Sequence, residues 1–292
     1  MVRLFPPVFR VLVAPLALGL LLLVFAGHLI WLSPGHALPG GDFREIHYPL
    51  LKFVSDATAQ TGALPLWNPH QFLGYSVVGN PQYGLFYPPN LGLLLLRDTQ
   101  IYHGISLVVA LHVLWIGLGM ACMARLFGAL PRPALLAGAL VAFGGTFVVR
   151  VYAGHYALLL TLSWAPWVLA AYRLSVHKGT LRWALPGGFA LALAILAGHP
   201  QTLYIIGLGL AVQWLFEILT ASSRHNWWPP TRQLLLMVFV AAILGAVAWL
   251  PMVDYLPKTS RGAGQSLAFA NEHAVRANAL GTWLVPGVFG TP

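Results

Sequence analysis

Long apolar stretches separated by short polar punctuation run through most of this chain. They lie at about 11–32, 103–124, 134–151, 156–172, 183–198, 201–219 and 233–256, and a helix needs roughly 20 such residues to cross about 30 Å of hydrocarbon. The pattern therefore predicts an all-α, polytopic integral membrane protein with about seven transmembrane helices. Closed barrels are excluded by the length of the runs, and lipid leaves no other way to satisfy backbone polar groups. Between the first two spans lies a long polar segment, about 33–100, rich in Pro, Gly, Asn, Tyr and Trp. It reads as a first extracytoplasmic loop with short juxtamembrane helices. One is predicted over 49–59, with proline in its first turn and Leu50, Leu51, Phe53 and Val54 on an apolar face. The run 90–96 is too short to span and reads as re-entrant or interfacial. Gly198-His199-Pro200 predicts a tight turn that makes the fifth and sixth spans an antiparallel hairpin. Residues 1–256 thus form a transmembrane domain, and 257–292 read as the start of a further extracytoplasmic segment in a truncated chain.

Composition agrees with that picture. The 292 residues are 58% hydrophobic and only 8% charged, with a mean hydropathy of +0.75, whereas a soluble domain carries about 25% charged residues. The formal charge is +9, yet the basic residues stand singly at the ends of apolar runs. That is the distribution of interfacial anchors and of topology control, and it points away from nucleic acid. Arg3 and Arg10 precede an apolar run too long for a cleavable signal, so the first helix is read as retained. With the N-terminus in the cytoplasm, nine basic residues fall inside and seven outside. The inner loops are the short ones, and short loops govern orientation. The single cysteine, Cys122, lies in an apolar run and forms no internal disulfide.

That topology sorts the remaining polar residues unevenly. Six of the seven acids and eight of the eleven histidines fall on the outer side. The tripeptide Ala-Gly-His recurs at 26–28, 153–155 and 197–199, each at the predicted outer mouth of a span. Glycine lets backbones approach closely, and His28, His155 and His199 can point into a shared outer cavity or simply cap the interface. A related echo joins Asn68-Pro69-His70-Gln71, Asn80-Pro81-Gln82 and His199-Pro200-Gln201. Asp42, in Gly40-Gly41-Asp42-Phe43-Arg44-Glu45, is the strongest catalytic candidate. A carboxylate at the membrane surface can accept a proton from a hydroxyl or hold a divalent cation against a phosphate. Glu45 shares its face if the segment is helical, and the plain alternative is an Asp that caps a helix. No His spacing suited to zinc, phosphate loop, nucleophile elbow or dinucleotide fingerprint is present.

Several segments together resemble a known family. They are Asp42, Tyr48-Pro49-Leu50, Gly62-Ala63-Leu64-Pro65-Leu66-Trp67-Asn68-Pro69, Asn80-Pro81-Gln82-Tyr83 and Phe86-Tyr87-Pro88-Pro89-Asn90. In that order they resemble the first outer loop of bacterial YfhO-type membrane proteins, which are similar to the GT-C superfamily of glycosyltransferases. Gly154-His155, Trp164-Ala165-Pro166-Trp167, Gly198-His199-Pro200-Gln201 and Leu284-Val285-Pro286-Gly287 extend the likeness along the chain. The resemblance implies transfer of a sugar from a polyprenyl-phosphate donor to an envelope acceptor on the outer face of the bacterial cytoplasmic membrane. Asp42 matches the family's acidic base or cation ligand, with Glu45 in support. Arg44, Lys52 or Arg150 would meet the donor phosphate, and Trp67 and Tyr83 would stack on sugar rings. Asn68, Gln82, His155, His199 and Gln201 would complete the substrate site. Membrane lipids are the other expected partner. Two readings compete: a lipid or saccharide flippase or transporter, marked by ionisable groups or broken helices at mid-membrane, and a non-catalytic partner in envelope assembly. His112 is the ionisable residue predicted nearest the middle of a span.

Overall fold

The computed structural model describes residues 40–220 and 227–260 continuously, together with 16–24, 27, 262, 264, 266–272 and 281. At the start of the long polar loop, a π-turn at Phe43–His47 runs into α1 (Tyr48–Thr61), so the helix expected over 49–59 forms. A two-stranded hairpin follows, β1 (Trp67–Asn68) antiparallel to β2 (Tyr75–Ser76), with Trp67 opposite Ser76. Then come α2 (Pro88–Leu93), α3 (Thr99–Leu126), α4 (Pro131–Ala142), α5 (Gly145–Ala153), α6 (Tyr156–Ser163) and α7 (Ala165–Lys178). The chain continues through α8 (Ala184–Leu196), α9 (Pro200–Leu219), α10 (Trp228–Tyr255) and α11 (Leu267–Glu272). Proline occupies the first turn of α1, α2, α4, α7, α9 and α10. Its missing N–H costs nothing there and its fixed φ suits the helix.

Among the described residues, five helical stretches are long and apolar enough to cross a membrane: Thr99–Leu126, Pro131–Ala153, Tyr156–Lys178, Pro200–Leu219 and Trp228–Lys258. The protein is an all-α membrane protein. The stretch Leu181–Leu196 is apolar but shorter, so the expected span over 183–198 does not reach full length. The expected first span over 11–32 lies mostly outside the described residues, of which 16–24 are helical. Two spans are interrupted, one at Phe143-Gly144 between α4 and α5, the other at Trp164 between α6 and α7.

Packing runs from α4 to α3, then α7, α8 and α10, while α9 leans on α6 and α7. The expected hairpin of α8 with α9 turns at 197–199, but α8 packs mainly along α10. One core joins α3 and α6 to loop residues Phe43, Leu51 and Tyr87; another joins α7 through α10 around Tyr172, Ile206 and Met237. A third holds the long polar loop together through Leu50, Val54, Val77 and Tyr83.

Polar side chains tie that loop into the bundle. Trp164 Nε1 donates to Tyr87 Oη at 2.9 Å, and Tyr87 Oη pairs with His112 Nε2 at 2.6 Å. Tyr156 Oη donates to Asn90 Oδ1 at 2.7 Å. Buried polar groups of this kind must be satisfied, and here they fix α2 against α3 and α6. His112, whose Nδ1 bonds the Val108 carbonyl at 2.6 Å, belongs to this scaffold.

Candidate functional site

Two glycines bring the long polar loop to the helix mouths. Gly154 ends α5 at φ +87°, a left-handed conformation that residues with a Cβ avoid. A Cβ on it would lie 2.7 Å from Phe43 N and 3.1 Å from Asp42 N. Opposite, a Cβ on Gly40 would lie 2.7 Å from both Gly154 N and Tyr152 O. Gly198 (φ +88°) ends the turn after α8, and a Cβ there would overlap the Pro81 carbonyl oxygen. Both described copies of Ala-Gly-His therefore use the glycine to admit loop backbone. The histidine that follows lands beside the residues that loop carries: Asp42 for His155, Gln82 for His199. His28, in the remaining copy, lies outside the described residues.

The result is a cavity of about 390 Å³ lined by Asp42, His47, Gln82, Arg150, His155, His199, Gln201 and Thr202, together with Ala157, Leu158 and Ile205. Arg150 Nη1 lies 2.9 Å from His155 Nδ1. A guanidinium only donates, so Nδ1 accepts and the ring proton sits on Nε2. That nitrogen is 3.7 Å from Asp42 Oδ2. Asp42 precedes the π-turn but makes no side-chain capping bond, which leaves its carboxylate facing the cavity.

His199 caps α9: its Nδ1 accepts from the Thr202 backbone N–H at 3.2 Å and meets Thr202 Oγ1 at 2.8 Å. The same reasoning puts its proton on Nε2. Burial pushes the His199 pKa down, helped by the charges of His155 and Arg150. His47 is 5% exposed, packed 5.3 Å from the Tyr156 ring. Burial first, then His155 and His199, push its pKa down to about 4. The cavity thus presents one carboxylate, one guanidinium, and imidazole and amide groups beside the apolar Ala157, Leu158 and Ile205.

Of the expected site residues, Asp42, Gln82, Arg150, His155, His199 and Gln201 meet in this cavity. The others do not. Arg44 and Glu45 are largely exposed and pair with each other at 3.4 Å. Lys52 bonds Asp56 and Asp98, each at 2.8 Å, and lines a different cleft. Asn68 and Tyr83, each 2% exposed, bond each other at 2.9 Å inside the loop core, so the Tyr83 ring presents no face to a sugar there. Trp67 stands exposed on the hairpin over Gly74. His47 and Thr202 line the cavity without having been singled out. The capping geometry of His199-Pro200-Gln201-Thr202 was a legible signal for Thr202, whereas nothing in the sequence distinguished His47 from other loop histidines.

The resemblance allows a divalent cation at Asp42. Among the described residues no group of three or more His, Cys, Asp or Glu could hold a metal. Asp42 brings a single carboxylate, with the Arg150 guanidinium on the far side of its imidazole neighbour. These residues do not make a metal centre by themselves.

No known family's sequence profile matches the chain, and no curated protein matches it in sequence. The chain is similar in structure to the oligosaccharyltransferase of Archaeoglobus fulgidus in its apo form, with a TM-score of 0.52 and 14% identity. The likeness is one of fold. The match covers 99% of this chain and 40% of that protein, so the chain spans about two fifths of its neighbour's length.

Proposed function

We propose that this chain is the transmembrane and outer-loop part of a YfhO-type glycosyltransferase of the bacterial cytoplasmic membrane. It would use a polyprenyl-phosphate sugar as donor and an envelope molecule as acceptor, with the site on the outer face and the N-terminus in the cytoplasm. One observation carries the reading: Asp42, His155 and Arg150 converge in a single cavity whose lining also includes the apolar Ala157, Leu158 and Ile205. Such a cavity suits a ligand that is charged at one end and greasy at the other.

In the reaction an acceptor hydroxyl gives its proton to Asp42 as its oxygen bonds the anomeric carbon. The bond from that carbon to the phosphate oxygen breaks, and the electron pair leaves with the lipid phosphate. Arg150, with N–H groups beyond the one given to His155, meets the phosphate charge. His155 directs its Nε2–H toward Asp42 and holds the carboxylate, while Gln82, Gln201 and Thr202 position the sugar hydroxyls. No step passes through a cation. The test is sugar transfer by the full-length protein, with lipid-linked sugars and envelope polymers followed by mass spectrometry. Asp42→Asn should remove transfer while leaving expression and membrane insertion intact; near-normal transfer by that variant would favour the assembly-partner reading.

A further inference from the structure

A second cleft, of about 430 Å³, lies along α1 and shares no lining residue with the first site. Its walls are Tyr48, Lys52, Phe53, Asp56, Gln60 and His70. The helix residues among them fall at three- and four-residue steps, so they form one face about 18 Å long at 1.5 Å per residue. That face begins one residue beyond His47, which lines the first site.

The chemistry of the cleft selects its occupant. Tyr48 is fixed by stacking on Tyr102 at 4.4 Å between centroids, and Phe53 meets the His70 ring edge-on at 5.6 Å. These rings make a rigid apolar wall of the kind the C–H faces of a sugar pack against. Asp56, Gln60 and His70 supply planar acceptors and donors along the rim. Among the described lining residues the one lysine or arginine, Lys52, is spanned by Asp56 and Asp98 at 2.8 Å each. Its charge is compensated, so the cleft offers little to a phosphate or an acidic polymer.

We propose that this cleft binds the acceptor, as a neutral saccharide chain lying along α1 with its reactive end at the Asp42 cavity. The word acceptor rests on the transferase reading; saccharide binding does not.

The test uses the full-length protein in nanodiscs and saturation-transfer NMR with chitotriose, maltotriose, mannotriose and oligogalacturonate. At least one neutral trisaccharide should bind, with oligogalacturonate weaker. Asp56→Asn and, separately, Gln60→Ala should each weaken binding several-fold or more. Gln60→Ala changes an exposed side chain and guards against misfolding in the first variant. Asp42→Asn should bind the trisaccharide normally while losing transfer. Absence of binding by every neutral probe, binding untouched by both cleft variants, or preference for oligogalacturonate would overturn the proposal. Binding without any transfer in the unaltered protein would keep the cleft and remove the transferase reading; transfer unaffected by the cleft variants would do the reverse.

Discussion

Asp42 and His47 sit five residues apart and face the same cavity with opposite electrostatic requirements. In the proposed reaction Asp42 works as a base. Replacing it with Asn keeps size and hydrogen bonding but removes basicity, so sugar transfer should fall roughly 100-fold or more. Glu45→Gln should cost much less, because that side chain faces solvent with Arg44. His47, by contrast, is held neutral by burial. Its folded pKa of about 4 lies below the usual 6.5, so the unfolded chain binds the extra proton first. The contribution of His47 to stability is therefore complete above about pH 6.5 and is lost as pH falls from there toward 4. Fully expressed, the loss is on the order of 3 kcal/mol. Thermal unfolding of the detergent-solubilised protein between those pH values should show the decline, and His47→Gln should flatten it. An unchanged slope in the variant would place the titration elsewhere. Of these residues, Asp42 was legible in the sequence as a carboxylate just past the first predicted span. His47 was not, because burial by Tyr156 and the opposing histidines is a property of the packed site.

At the scale of elements, Gly154 and Gly198 carry the contact between loop and helix mouths. Gly198→Ala combines a positive φ with overlap of the Pro81 carbonyl, two effects that each cost about 1 kcal/mol or more. The turn must therefore move away from Pro81–Tyr83 and take His199 and Gln201 with it. Lower thermal stability together with a marked loss of transfer is expected. Gly62→Ala provides the control: it also has a positive φ, at +71°, but a Cβ there meets nothing within 4 Å. It should lose stability while largely keeping transfer once folded. Equal loss of activity in both variants would detach the glycine contact from the site. Proline in the first turn and apolar run length made most helix positions readable. The breaks at Phe143-Gly144 and Trp164, and the shortness of α8, were not readable, since they depend on what each helix packs against.

For the whole molecule, the orientation is directly measurable. In a Cys122→Ser background, cysteine at exposed Gln60 should react with an impermeant thiol reagent added to intact cells. Cysteine at exposed Thr180, after α7, should react only once the membrane is opened. The opposite pattern would place the Asp42 cavity in the cytoplasm and remove a lipid-linked donor on the outer face from consideration.

The sequence alone determined that this is a helical membrane protein with a long polar loop, because hydrocarbon demands uninterrupted apolar length and that length is visible in one dimension. It also marked the helix mouths, since Gly-His and His-Pro-Gln signals are local. Which of the polar loop residues form a site was decided only by tertiary structure. Lys52, Asn68 and Tyr83 carry the same chemistry as their neighbours, yet a neighbouring carboxylate pair and the loop's own core absorb them. Asp42, Arg150 and His155 stay available because backbone contact at Gly40 and Gly154 brings segments more than one hundred residues apart in sequence to van der Waals distance. No local pattern encodes such a contact, since it depends on two distant backbones fitting together.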